Sequence, residues 1–412
     1  MDTRTNILGL DPLRGRWFYL VFGILINICL GSVYSWSVFR RPIEEHFNTT
    51  AFASGLPYMF FLFFFALLMP FAGRFIVRLG AKPIIIVGGI TVSIGWILST
   101  FAPSMLYLTI TYGVIAGAGV GIVYGAPIAL ITRWFPDKKG FAVGLVLTGF
   151  GLSPFITAPL ARALIETRGV MPTFGILGAI FLVVLILLAL PLKSAPADWA
   201  ESFKDKNGKA KDIPVYDISS RMMLRSKSFY VLWVCYISGT LCGLMAIGIS
   251  SPVAEEVINI TPAVAAVLIS LFAIFNGLGR PFFGWFTDVK GYRTAAIFSF
   301  SMILLASIIM LNAGEGQVFL YALSFCIFWF NLGGWLAIAP TATASLFGLK
   351  NYAQNYGIMY TAYGIGALLG TIMSGQIRDI FGHYSNAFWA TTVFAIIGLF
   401  VSALFLNKKE RC

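Results

Sequence analysis

The chain alternates between long apolar runs and short polar segments over nearly its whole length. Each run has about 20 residues, the length that a helix needs to cross the ~30 Å hydrocarbon core of a bilayer. Lipid offers no partner to an exposed backbone N–H or C=O group, so we predict that every run is an α-helix. The alternating pattern of a membrane β-barrel is missing. The predicted spans are 17–39, 52–72, 83–101, 105–131, 140–160, 173–192, 229–251, 263–286, 294–312, 318–342, 356–377 and 386–406.

One long polar segment separates these spans into two groups of six. The pattern therefore predicts an all-α membrane protein with an N-terminal six-helix bundle over 1–193 and a C-terminal six-helix bundle over 229–412. The segment 194–228 between them is predicted to be a cytoplasmic linker, either a plain solvated tether or one with an interfacial helix near 222–224.

The two groups carry a weak internal repeat. GRFIVRLGAKP starts at Gly73 after the second span, and GWFTDVKGYRT starts at Gly284 after the eighth. Aligned without gaps, the copies share the glycine pairs Gly73/Gly284 and Gly80/Gly291 and end on a basic residue, Lys82 or Arg293. Transporters built from two repeated halves place the substrate between them near the midplane, so the repeat favours that arrangement.

Composition agrees with a membrane protein and excludes several other classes. Only 11% of the residues are charged and the mean hydropathy is +0.85, whereas soluble domains carry about 25% charged residues. The net charge of +12 is scattered over short loops and forms no continuous basic face, so nucleic acid is not an expected partner. The five cysteines and two histidines lack metal spacing, which predicts no metal and no cofactor.

The basic residues predict the orientation. With both termini in the cytoplasm, 23 of the 29 lysine and arginine residues lie in inner segments and five in outer loops, Arg40 and Arg41 among the five. The first apolar run has the full length of a span, so we interpret it as an uncleaved first helix. The expected location is a bacterial inner membrane, which the chain crosses several times. Twelve spans enclose a complete pathway, so a monomer suffices.

The repeated loops resemble the inner-loop motif of the major facilitator superfamily, approximately G-x-L-x-D-R-x-G-R-K/R. The second copy has the acid of that motif as Asp288, and the first has Val77 there. The resemblance implies a twelve-helix carrier with two bundles related by a pseudo-two-fold axis, and a gating role for the motif residues. Those residues are Gly73, Arg78, Gly80, Gly284, Asp288, Gly291 and Arg293.

A narrower resemblance concerns two branches of that superfamily. WFPDKKGFAVGLVLTGFGLSP (134–154) looks like the motif of the fourth and fifth helices of monocarboxylate transporters. GAGVGIVYG (117–125) and NGLGRPFFGWFTD (276–288) also resemble the oxalate–formate exchangers. In both branches an arginine of the eighth helix contacts the substrate carboxylate, and Arg280 has that place here.

The chain departs from both branches near this arginine. Monocarboxylate transporters carry an aspartate one turn before it, where this chain has Asn276, and a lysine in the first helix, where this chain has none. The exchangers carry a lysine in the eleventh helix, and the matching residue here is Tyr363.

Arg280 is the most informative single residue. It lies eight residues from Asp288, or about 12 Å along a helix, which is close to mid-membrane. A charge at the bilayer centre costs at least ~2.5–3.5 kcal/mol, and all 17 acids lie outside the predicted spans. Either backbone carbonyls, water and Asn276 hold the guanidinium, or a substrate anion supplies the missing charge. A guanidinium suits a carboxylate because it offers two parallel N–H donors.

The candidate site extends from Arg280 to neighbours on other spans. Asn276 lies one turn away on the same helix face, either as a ligand or as a packing amide. The resemblance implies pocket positions in the first, fourth and eleventh helices, which here are Tyr34, Tyr124, Tyr360 and Tyr363. Leu145 in the fifth span and Asn331 in the tenth are weaker candidates. Glycines recur on the fourth, fifth and eleventh spans and form smooth helix faces. Such faces either let one half of the protein rock against the other or serve tight static packing.

These observations predict a secondary active transporter of small monocarboxylates such as lactate or pyruvate. The resemblance to the monocarboxylate branch implies proton symport by alternating access, with the proton carried by the substrate carboxyl or by a network of tyrosines and water. An oxalate–formate type anion exchanger is the alternative, and a substrate-sensing receptor is a second rival. An enzyme is not expected, because no cluster of His, Cys or acids lies at membrane depth. A channel is not expected either, because the spans carry no ring of repeated polar residues to line a pore.

Overall fold

The computed structural model describes residues 10–196, 199, 218–348 and 351–406. Within this part of the chain, twelve helices are long and apolar enough to span a membrane. They are α1 (Pro12–Phe47), α2 (Ala51–Leu79), α3 (Ala81–Ser99), α4 (Met105–Trp134), α5 (Lys139–Arg168), α6 (Val170–Ala189), α7 (Lys227–Glu256), α8 (Pro262–Lys290), α9 (Tyr292–Leu311), α10 (Val318–Phe347), α11 (Gln354–Phe381) and α12 (Ala387–Leu404). The prediction of an all-α protein with twelve spans is confirmed.

The repeated loops owe their glycines to backbone geometry. Gly80 joins α2 to α3 with φ +82° and ψ 172°, and Gly291 joins α8 to α9 with φ +85° and ψ 155°. This region is open almost only to glycine, because a Cβ atom would clash with the neighbouring backbone. The matching turn in each half therefore requires glycine at the same repeat position.

Several helices extend beyond the predicted spans, and this corrects the predicted charge distribution. α1 continues to Phe47 and α7 to Glu256, so Glu44, Glu255 and Glu256 lie inside helices instead of outer loops. Arg40, predicted in an outer loop, is part of α1 and only 1% exposed. Arg280 is therefore one of several buried arginines, but the others have partners on the protein.

The two bundles meet along three pairs of helices. α5 packs on α8, α2 packs on α11, and the end of α1 packs on α7. The segment between the bundles is described only in part: its residues 197, 198 and 200–217 lie outside the described residues, as do both chain ends. A short helix at Ser220–Met223 falls where an interfacial helix was considered. The domain bounds stay a prediction.

The bundles are joined by hydrogen bonds at one face, which we call the outer face because it is the one predicted to lie outside. The Asp379 carboxylate of α11 accepts from the backbone N–H groups of Ala51 and Phe52, both at 3.0 Å, at the start of α2. Arg41 pairs with Glu255 at 3.1 Å. Among described residues, every hydrogen bond between the bundles lies between mid-membrane and this face, so the outer face is closed.

The opposite face carries an ion pair within the first bundle. The Arg16 guanidinium at the start of α1 donates to both carboxylate oxygens of Asp137, at 2.6 and 2.9 Å. These hydrogen bonds hold the pKa of Asp137 below its ordinary value. Arg16 also donates to the Trp134 carbonyl, so the loop between α4 and α5 is fixed to α1.

Most glycine faces pack helices within one bundle. Cβ atoms added at Gly117 or Gly121 of α4 would lie 2.5–2.7 Å from backbone atoms of α2, in the same bundle. Gly366 of α11 similarly faces α7. Gly151 of α5 and Gly364 of α11 do face the other bundle. The expectation that glycine faces let one half rock against the other therefore fits such positions on α5 and α11 and not the α4 series.

Candidate functional site

Three helices change their regular geometry at the tyrosines singled out in the sequence. α1 tightens to a 3₁₀ turn over Gly31–Ser35, which contains Tyr34. α4 is interrupted at Tyr124, where Pro127 provides no N–H group for the Val123 carbonyl. α11 is interrupted at Tyr360, between Met359 and Thr361. Interrupted helices at mid-membrane are frequent at transporter binding sites, since they expose side chains and backbone to a substrate.

These tyrosines belong to a buried cluster that we call the aromatic shell. Its members come from five helices of both bundles: Tyr34, Phe65, Tyr124, Phe150, Tyr360 and Tyr363. Tyr360 stacks on Tyr363 at 5.0 Å between ring centroids, and Phe65 contacts both of them at 5.7–5.8 Å. The Tyr34 hydroxyl lies 2.7 Å from the Tyr363 hydroxyl, and this hydrogen bond joins the two bundles.

Arg280 lies beside this shell and forms neither an ion pair nor a regular hydrogen bond with the described residues. The residue is 4% exposed, and its Cζ atom is 5.9 Å from the centre of the Phe150 ring. Nε, Nη1 and Nη2 are all buried and none has a hydrogen-bond partner. The Tyr124 hydroxyl is a hydrogen-bond neighbour of the guanidinium, and Tyr34 interacts with it electrostatically, but neither contact has the geometry of a regular hydrogen bond. No described carboxylate forms an ion pair with it.

Small residues allow the helices to come close at this point. A Cβ atom on Gly151 of α5 would lie 2.5 Å from Asn276 Oδ1 and 3.3 Å from Arg280 Nε. A Cβ atom on Gly333 of α10 would lie 2.1 Å from the Asn276 carbonyl oxygen. Because neither glycine has a side chain, α5 and α10 both pack directly against the turn of α8 that carries Asn276 and Arg280.

Asn276 is held by the protein through one half of its amide. Its Nδ2 donates to the Trp329 carbonyl of α10 at 3.1 Å, while its buried Oδ1 has no partner. Asn331 of α10 is similar: Nδ2 donates to the Ile327 carbonyl of its own helix, and Oδ1 has no partner. Packing thus uses the donors of both amides and leaves one acceptor on each.

The structure brings some of the sequence candidates together and leaves others apart. Tyr34, Tyr124, Tyr360 and Tyr363 pack with Phe65 and Phe150 into one cluster next to Arg280. Leu145 is half-buried on α5, about one and a half turns from the residues of that helix that contact Arg280.

The motif residues lie at the inner ends of the helices, apart from the aromatic shell. Asp288 and Arg78 are exposed, and Asp288 forms no ion pair with a described residue. Arg293 donates to the Ala403 carbonyl of α12. Gly73 and Gly284 lie in open surroundings, and Gly80 and Gly291 form the turns described above. The acid of the motif is therefore disengaged while the outer face is closed.

Sequence reasoning missed four residues that shape the site. Phe65 and Phe150 complete the aromatic shell, and Gly151 and Gly333 permit the close approach of three helices. Gly151 belongs to the glycine pattern of the fifth span, and that pattern gives no sign of its contact with Asn276 and Arg280. Phe65 lies in the run FFLFFF, where the sequence offers no signal that separates a pocket residue from its lipid-facing neighbours.

The geometry defines what the site can bind. It offers one fixed positive charge, unused N–H donors and tyrosine hydroxyls, within apolar walls. A buried charge without a counter-charge is unstable by several kcal/mol, so an anion that enters gains strongly from it. Among described residues there is no group of three or more His, Cys, Asp or Glu side chains able to hold a metal ion.

Comparison with known proteins agrees with this architecture. The family model of the Major Facilitator Superfamily matches residues 20–257 and 239–411. The oxalate:formate antiporter of Oxalobacter formigenes is 30% identical over 99% of this chain and 94% of its own. Monocarboxylate transporter 12 of Rattus norvegicus is 25% identical over 94% of this chain and 85% of its own.

The fold is also that of solved transporters. A bacterial homolog of the human lysosomal transporter Spinster, in its inward-facing and unoccupied conformation, superimposes with a TM-score of 0.75. The two share 17% identity, over 98% of this chain and all of the other, so the likeness concerns the fold alone. The resemblance inferred from the repeated loops is confirmed, and the chain belongs to the major facilitator superfamily of membrane transporters.

Proposed function

We propose that this protein is a secondary active transporter of small monocarboxylates, such as lactate or pyruvate, and that Arg280 binds the substrate carboxylate. The observation that carries the proposal is the guanidinium of Arg280, whose three buried nitrogens have no partner. A carboxylate would supply both the missing charge and two acceptor oxygens in the geometry that a guanidinium matches. The organic anions named for the two relatives support the same substrate class.

The charge of the site favours a monoanion. Arg280 is the cation next to the aromatic shell, and Tyr363, a member of that shell, has its hydroxyl engaged by Tyr34. One fixed positive charge neutralises one carboxylate, whereas the second carboxylate of a dianion would remain buried and unpaired at high cost. The free Oδ1 of Asn276 can accept from a hydroxyl beside the carboxylate, and the Tyr124 hydroxyl, next to the guanidinium, can donate to a carbonyl there.

Proton symport fits a monoanion better than uniport does. Import of one negative charge against the membrane potential costs about 2.3 kcal/mol per 100 mV, and one accompanying proton removes that cost. The substrate carboxyl itself can carry the proton when it leaves Arg280. The bundles would rock about Arg280, the outer face opening as the inner face closes, in a monomer whose two termini lie in the cytoplasm.

Exchange of organic anions is the second candidate. It is favoured by the relative that is 30% identical and is named an oxalate:formate antiporter. In an exchanger, internal substrate accelerates uptake of external substrate, because an empty carrier returns slowly. In a symporter, a proton gradient alone drives accumulation.

Uptake of radiolabelled L-lactate into proteoliposomes tests the proposal. With an inward proton gradient and no internal substrate, we expect accumulation above equilibrium and a rate that increases from pH 8 to pH 5. Uptake that is independent of pH over this range would contradict symport. If uptake requires preloaded formate or oxalate instead, the protein is an exchanger.

Tyr363→Lys should change the preferred charge of the substrate. A lysine there adds a second cation opposite Arg280, so we expect oxalate uptake to rise about tenfold relative to lactate, equivalent to ~1.4 kcal/mol. The measurement is competition of unlabelled oxalate against labelled lactate at equal amounts of membrane protein. Tyr363→Phe is the matched control, since it breaks the hydrogen bond to Tyr34 without adding charge. An equal preference in both variants would show that charge at this position does not select the substrate.

A further inference from the structure

The outer face holds a buried carboxyl group, Glu44, that the substrate site does not use. Its side chain, near the end of α1, is 16% exposed, whereas that of the next residue, Glu45, is 74% exposed. Ser54 Oγ at the start of α2 donates to Glu44 Oε1 at 2.5 Å. A buried carboxylate is unfavourable unless a cation or several donors compensate it, so the partners of Glu44 decide its preferred state.

Arg40 is the nearest cation, but its N–H groups are directed elsewhere. Arg40 Nε lies 3.9 Å from Glu44 Oε1 and donates to Ser54 Oγ at 3.1 Å. Nη1 donates to the Gly248 carbonyl of α7, in the other bundle, at 3.3 Å, and Nη2 donates to the Ala51 carbonyl. These contacts are available whether Glu44 is charged or neutral, so Arg40 compensates Glu44 only partly.

The other bundle brings no unused cation to Glu44. Its charges that act on Glu44 are Glu256 of α7 and Arg378 of α11, and these two pair with each other at 3.3 Å. Nearby, Asp379 binds the start of α2, and Tyr384 lies with its ring 5.4 Å from the Arg40 guanidinium carbon. Closing the outer face therefore removes water from Glu44 and brings a second acid close, while the added cation is already paired.

The hydrogen bonds around Ser54 are complete when Glu44 is protonated. A hydroxyl has one donor and two acceptor sites. Ser54 Oγ can then accept from Arg40 Nε and from the protonated Glu44, and donate to the Ala51 carbonyl at 3.0 Å. When Glu44 is ionised, the single Ser54 hydrogen is shared between Glu44 and Ala51. The neutral form therefore satisfies one more contact in the closed arrangement.

We propose that Glu44 is the residue through which external pH controls closure of the outer face, with the protonated form favouring the closed state. This inference rests on the proposed function, because it treats closure of the outer face as a step of the transport cycle. Glu44 lies at the outer face, so its proton returns to the outside when that face opens. It sets the rate of the closing step and does not add to the number of protons transported.

Thiol labelling measures closure without any substrate. Thr371 of α11 is buried against Gly55 of α2 across the closed interface, so Thr371→Cys should react with a membrane-impermeant maleimide only when the outer face opens. Every labelling rate is divided by that of a free thiol at the same pH, because the reactive thiolate fraction itself rises with pH. In right-side-out vesicles we expect this corrected rate for the single variant to increase as external pH rises from 5 to 8, by up to tenfold per pH unit for one coupled proton. The parent chain, whose four described cysteines are buried, gives the background.

Two further substitutions in the Thr371→Cys chain decide the proposal. Glu44→Gln keeps the shape but is always neutral, so we expect slow labelling that no longer depends on pH. Glu45→Gln, on the exposed neighbour, should retain the full pH dependence. Persistent pH dependence in Glu44→Gln would overturn the proposal, and so would fast labelling at every pH, which would mean that closure needs the Glu44 charge.

Transport separates this proposal from the proposed function. In proteoliposomes, Glu44→Gln should still accumulate lactate to the same final level in a proton gradient, while the dependence of its initial rate on external pH decreases. A lower final level in Glu44→Gln would make Glu44 part of the proton stoichiometry and contradict its role as a rate control. If no variant transports lactate, the labelling result still decides the role of Glu44.

Discussion

Arg280→Met should abolish lactate uptake without destabilising the empty protein. Loss of one partner of a buried charged hydrogen-bonded pair costs about 2–5 kcal/mol of binding, so we expect the initial rate at low lactate to fall at least ~30-fold. Arg280→Ala should show the same loss. Arg280→Lys keeps the charge but not the planar pair of donors, and we expect it to restore only part of the rate.

Thermal unfolding distinguishes a substrate role from a structural one. In the empty protein the Arg280 charge is buried and has no counter-charge or regular hydrogen bond, so replacing it with an apolar side chain should leave the melting temperature unchanged or raise it. Lactate should then no longer stabilise the variant, although it stabilises the parent chain by mass action. Arg40→Met is the matched control: that arginine is equally buried but donates to Ser54, Gly248 and Ala51, so its loss should lower the melting temperature.

An unchanged uptake rate in Arg280→Met would remove the basis of the substrate assignment. A lower melting temperature in the absence of lactate would indicate that water or the protein holds the guanidinium. The pair of measurements therefore tests separately what Arg280 binds and what it contributes to the fold.

Gly151→Ala should impair transport although it adds a single methyl group. The new Cβ atom would lie 2.5 Å from Asn276 Oδ1 and 3.3 Å from Arg280 Nε, so α5 and α8 must separate or Asn276 must rotate. Overpacking of this kind costs about 1–3 kcal/mol, and it moves the residues that bind the carboxylate. We expect a loss of at least ~10-fold in uptake, with a lower melting temperature.

Gly144→Ala is the control on the same helix. No atom lies within 4 Å of a Cβ at this position, and alanine favours a helix over glycine by about 1 kcal/mol. Its uptake should therefore equal that of the parent chain. Equal losses in both variants would show that α5 is sensitive to any substitution and that the Gly151 contact has no special role.

Much of the fold could be predicted from the sequence because the membrane restricts the choice of structure. Twelve apolar runs had to be helices, and the repeated glycines at Gly80 and Gly291 marked equivalent turns. Helix ends were less predictable. α1 continues through Arg40 and Glu44, because the outer ends of α2, α7 and α11 cover these charges and supply their partners.

The sequence by itself determined the class of protein, the number of spans and the anomalous position of Arg280 within an apolar run. The reason is that each of these depends on local composition: a charge within an apolar run stays anomalous wherever the helix packs. Only the tertiary structure decided which residues surround that charge. Tyr34 and Tyr363 are 329 positions apart in the chain, and Gly151 and Phe150 reach Arg280 from another bundle. Such contacts depend on which helix faces meet. In lipid, hydrophobicity does not distinguish one apolar face from another, so the close packing of side chains between helices selects the faces that meet.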